Sequence, residues 1–73
     1  MNAQRRKALE IISSKLDELA DELEMLAEEE EEAGENLPES FEERKQQCED
    51  NAENISAAAE ALRDAVDSIE EVT

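Results

Sequence analysis

Cys48 is the only thiol in a 73-residue chain that contains no histidine, so it has no partner for a disulfide, a nucleophile–base pair or a zinc site. Its heptad position predicts a packed, inert sulfur. The carboxylates are the other reactive groups, 23 Asp and Glu against 7 Lys and Arg, for a net charge of −16. Without histidine they lack the Glu-x-x-His pairs with which helical bundles hold paired metals. The run Glu28 to Glu32 also lacks the alternating oxygen ligands and loop glycine of a calcium hand. With no glycine-rich phosphate loop either, the expectation is a protein that is not an enzyme and has no cofactor and no metal. What remains for the carboxylates is recognition.

Such a surface repels nucleic acid and anionic membranes, and selects a basic protein as partner. The charge is concentrated: between Glu28 and Asp50 there are eleven acids and two bases. A solvated face that keeps a helical protein soluble is the ordinary reading of such runs. The net charge, however, exceeds the magnitude of roughly 2–8 that suffices for a small domain. Spread along a helix of about 40–45 Å it amounts to one negative per roughly 3 Å, near the 3.4 Å of a single nucleic-acid strand. Carboxylates three or four residues apart on a helix, about 5–6 Å between their side-chain bases, approximate phosphate spacing. Glu28, Glu29, Glu31, Glu32, Glu35, Glu39, Glu42 and Glu43 are therefore the expected partner-binding surface, standing where a nuclease or other nucleic-acid-binding protein expects phosphates.

The elements that must carry this surface are helices. From about residue 4 to residue 33 the chain is rich in Ala, Leu, Glu, Lys and Arg with no interruption before Gly34, which predicts one long helix. Leu9, Ile12, Leu16, Leu19, Leu23 and Leu26 alternate spacings of three and four, a heptad seam. Ala20 and Ala27 fall beside it. Ile11 and Met25 form a weaker strip off the seam, the pattern of a helix with two neighbours in a bundle. Gly34, the only glycine, suits a left-handed helix terminus, and Asn36 with Glu39 or Ser40 with Glu43 reads as a capping box for the next helix. The turn is expected at about 34–39.

A second helix follows over about 40–72. Ile55, Leu62, Val66 and Ile69 continue its seam through small residues, and Ala58, Ala65 and Val72 flank it. Folding back at the turn pairs positions whose numbers sum to about 75. That register sets Glu30 against Lys45, and brings Arg5, Arg6 and Lys7 toward Asp67, Glu70 and Glu71. The expected fold is all-α, a single antiparallel two-helix hairpin domain over residues 1–73, coiled-coil-like. So small a core, with neither disulfide nor metal, predicts dimerisation into a four-helix bundle. Arg5, Arg6 and Lys7 precede Glu10, Ser13 and Asp17 instead of an unbroken apolar run, so no signal peptide is expected, and no stretch is apolar enough to span a membrane. Cys48 as an unpaired thiol suits a reducing cytoplasm.

The opening MNAQRRKALE, the EEEEEAGENLPES turn and the closing AAAEALRDAVDSIEEV resemble small acidic helical proteins encoded by bacteriophages and prophages, especially those of Gram-positive bacteria. The resemblance implies a phage setting, hence the cytoplasm of a bacterial host. By analogy with acidic phage proteins that imitate DNA, it also implies inhibition of host defence. The expected function is a non-enzymatic binding protein that engages a basic partner as a nucleic-acid mimic. The alternative is a structural oligomerisation module whose seam is the working surface.

Overall fold

The computed structural model describes all 73 residues as two helices and no strand, α1 (Ala3–Glu35) and α2 (Glu42–Val72). They lie antiparallel in a rod with a Cα length of 59 Å. α1 begins at Ala3 because Asn2 caps it, its side-chain oxygen accepting from the Arg5 N–H at 2.8 Å. In the connection the Phe41 N–H donates to the Pro38 carbonyl at 2.9 Å. This turn delays α2 until Glu42. Phe41 occupies its N-cap position and no side chain caps it, so neither expected capping box forms.

Gly34 does not end α1. It lies inside the helix, buried and without positive φ. Its role is close approach. A Cβ built there would stand 2.7 Å from the Cβ of Cys48, so only a residue without a side chain lets the two backbones come this near.

The same logic selects the contact line along the rod. The buried residues of α1 are Ala20, Ala27 and Gly34, seven apart, and those of α2 are Ala52, Ala59 and Val66, also seven apart. Small side chains at one heptad position in both helices allow intimate packing, and the helices have closed on that line. Leu9, Leu16 and Leu23 flank it half-buried on α1, as do Ile55, Leu62 and Ile69 on α2. Ile12, Leu19 and Leu26 were expected in the same seam, but they stand outside it with about half their surface exposed (46%, 49% and 52%).

Closing on the small residues also resets the register. The Asn51 side chain donates to Glu30 at 2.9 Å, so positions summing to about 81 share a level, in place of the expected 75. Glu30 therefore meets Asn51 and not Lys45. The offset carries Arg5, Arg6 and Lys7 past the end of α2, and no ion pair joins them to Asp67, Glu70 or Glu71. The ion pairs that do form are both made by Arg63, to Asp21 at 3.0 Å and to Glu24 at 2.9 Å.

Candidate binding surfaces

The two interhelical contacts assign the faces of the rod. Asn51 shares its heptad row with Ala58, Ala65 and Val72, and Glu30 shares its row with Leu9, Leu16 and Leu23. Their hydrogen bond places these rows on one side. The neighbouring α1 row on that side is Ile12, Leu19 and Leu26. On the opposite side Arg63 reaches Glu24, in the row of Glu10, Asp17 and Glu31. The hairpin thus has one apolar face and one acidic face.

The apolar face is exposed. No large side chain anywhere is fully buried, and the buried hydrophobic residues are four alanines and Val66. Leu19, Leu26 and Val72 each leave about half their surface to water, at 49%, 52% and 53%. Two rows of large aliphatic residues side by side are what a helical protein ordinarily covers. Ser13, in the contact line with Ala20 and Ala27, has a buried hydroxyl with no hydrogen-bond partner. The line was selected for small size there, at some polar cost.

The expected acidic residues are all exposed. Glu28, Glu29, Glu31, Glu32 and Glu35 occupy the last two turns of α1, Glu39 the connection, and Glu42 and Glu43 the first turn of α2. They cluster at the turn end of the rod. Glu30 differs from its neighbours, turned onto the apolar side against Asn51 and beside Cys48. Loss of hydration raises the Cys48 thiol pKa above its ordinary value, helped by the negative charge and hydrogen bonding of Glu30 and opposed by Arg44. The Arg63 guanidinium is likewise held above its ordinary value by its hydrogen bonds to Asp21 and Glu24.

No family model, curated protein or solved structure matches this chain. The chemistry must be judged from the residues themselves. No three His, Cys, Asp or Glu side chains converge in a way that would hold a metal ion. The largest concavity is lined by Lys15, Glu18, Leu19, Asp21 and Glu22, all on α1, and is open helix surface rather than a pocket. No helix is long and apolar enough to cross a membrane. The hairpin presents two distinct surfaces, the apolar face and the acidic remainder. The residues that sequence reasoning placed wrongly, Ile12, Leu19 and Leu26, had a usable signal: Ala20, Ala27 and Gly34 also repeat every seven residues, one row over.

Proposed function

We propose that this chain is a non-enzymatic acidic binding protein. It pairs through its apolar face into a four-helix bundle, and its outer surface engages a basic, nucleic-acid-binding protein in place of DNA or RNA. The observation that carries the reading is the separation of the two chemistries. Glu31 shares the row of Glu24, and Glu28 and Glu35 that of Asp21, both on the Arg63 side opposite the Leu19 row, so covering the Leu19 face leaves these carboxylates free for a partner.

Charge density supports mimicry. A net −16 along 59 Å is one negative per about 3.7 Å, and two copies over the same length give one per about 1.8 Å, against 1.7 Å for duplex DNA. The acids at the end of α1 also work against folding, although Glu42 and Glu43 in the first turn of α2 favour that helix's dipole. Carboxylates in the last turn of a helix oppose its dipole by about 0.3–1 kcal/mol each, and α1 has no basic residue there to offset them. An inhibitor of a host defence nuclease, as the likeness to bacteriophage proteins suggests, is the role such a surface suits.

The exposed apolar face favours a second reading, a structural oligomerisation module in which the acids only solubilise. One variant separates the two. Converting Glu28, Glu29, Glu31 and Glu32 to Gln removes the charge while keeping shape and helix propensity. Basic DNA-binding proteins preloaded on fluorescent duplex DNA are titrated with each form, and release of DNA is followed by anisotropy. Wild type is expected to release the DNA and the variant to lose that ability, while its helicity is retained or increased. Failure of wild type to compete at low salt refutes mimicry and leaves the structural module.

A further inference from the structure

We infer that the apolar face is covered by a second copy of this chain with the two acidic turns at opposite ends of the bundle, about a two-fold axis at the level of Leu19 and Leu62. The inference rests on the pairing proposed above and adds its direction and register. Four observations support it.

First, the apolar rows share one centre. Leu19 lies midway between Ile12 and Leu26, and Leu62 midway between Ile55 and Ile69. The Glu30–Asn51 contact puts Leu19 and Leu62 at the same level of the rod. A two-fold there superimposes apolar surface on apolar surface in both helices. Second, Leu19 is also the midpoint of α1 (Ala3–Glu35), so α1 overlaps its own copy over its whole length, and α2 (Glu42–Val72) overlaps its copy over residues 52–72.

Third, charge selects the direction. From Ala3 to Glu18, α1 carries four bases and three acids; from Leu19 to Glu35 it carries nine acids and no base. α2 is nearly even, with net −3 in its first half to Ala57 and −4 after it. Face-to-face hairpins have two symmetric arrangements. With the turns together, α1 lies over the partner's α2, and its −9 half faces a −3 half. With the turns opposed, α1 lies over its own copy, and the −9 half faces the +1 half that holds Arg5, Arg6 and Lys7. Only the opposed arrangement gives the most acidic segment a basic neighbour, and like charges facing across an interface are a strong selector of partner geometry. Fourth, the size is right. A face with Cα dimensions of 59 by 14 Å offers on the order of 800 Å² per copy, the footprint of a stable pair.

Distance measurement between nitroxide labels tests this, using the full chain with Cys48→Ala and a single added cysteine at Glu35→Cys or, separately, at Gln4→Cys. Opposed turns place the two labels about 45–55 Å apart at either site, from a rise of 1.5 Å per residue. Turns together place them within about 30 Å, spanned by the width of the bundle. Sedimentation of the same samples shows whether they pair. A dimer with long distances at both sites supports the inference. A dimer with short distances overturns it and leaves pairing intact, and a monomer at high concentration overturns both.

Discussion

Substitution of Gly34 by alanine sets two well-calibrated effects against each other. In an exposed helix interior this change stabilises by about 0.8–1 kcal/mol, because alanine loses less backbone freedom and glycine is the poorest ordinary helix former. Here the new Cβ meets the Cβ of Cys48 at 2.7 Å, with the Cys48 sulfur and the Lys45 carbonyl oxygen each at 3.6 Å. A Cβ moves only with its backbone, so no rotamer change relieves the clash, and the helices must part near the turn. Overpacking of this kind costs about 1–3 kcal/mol. The steric term wins, and Gly34→Ala is expected to be destabilising by roughly 1 kcal/mol. Guanidinium unfolding followed by circular dichroism, at one fixed protein concentration because a dimer's stability depends on it, measures the difference. Cys48→Gly in the Gly34→Ala background removes the opposing Cβ and should recover part of the loss, whereas Cys48→Ala should not. A stabilising Gly34→Ala would refute the close approach and leave Gly34 an ordinary, uncrowded helix-interior position.

Ser13→Ala removes a buried hydroxyl that has no partner and improves helix propensity, so it should stabilise by about 1 kcal/mol in the same assay. Alkylation of Cys48 by iodoacetamide should reach its half-maximal rate at a higher pH than an unfolded control. Glu30→Gln should lower that pH, since the carboxylate helps to hold the thiol protonated. Because the raised pKa penalises the thiolate in the fold, this group's contribution to stability is present below the ordinary thiol pKa and declines as pH rises through the folded value. Salt should act with opposite sign on the two surfaces: self-association tightens in sedimentation as repulsion between copies of charge −16 is screened, while binding to a basic protein weakens. The same sign for both would contradict the division of labour between the faces.

Much of the coarse architecture was legible because α1 and α2 each keep a heptad rhythm over about thirty residues, and the only proline falls between those stretches. The face was harder to read. α1 carries three adjacent rows fit for contact, Ile12–Leu19–Leu26, Leu9–Leu16–Leu23 and Ser13–Ala20–Ala27–Gly34, and any two neighbouring rows make a seam. Transfer free energy favours the two leucine rows. Backbone approach favours the small row, because α2 offers Ala52 and Ala59 in matching positions. The second consideration prevailed, and Gly34 was misread for the same reason, since a glycine at a helix end and a glycine in a contact row look alike in sequence. Its spacing of seven from Ala27 was the clue. The capping boxes failed for a local reason: the Pro38 turn consumes the Phe41 N–H and leaves Ser40 outside the helix.

The closing on small residues ties the two proposed surfaces together. Had the hairpin closed on its leucines, its only apolar face would be spent internally, and a single rod would present one negative per about 3.7 Å. By closing on alanine it leaves the row Ile12, Leu19 and Leu26 exposed, and the proposed pairing would bring the density to that of a duplex without adding a residue. Affinity for a basic partner should then track dimer population. At concentrations where the rod is single, the partner meets a charge density nearer that of a single strand and should be released. Leu19→Asp, which sets two carboxylates against each other at the proposed axis, should weaken partner binding even though it adds negative charge. Retained or improved binding by a monomeric Leu19→Asp chain would mean that charge alone, and not duplex-like density, is what the partner reads.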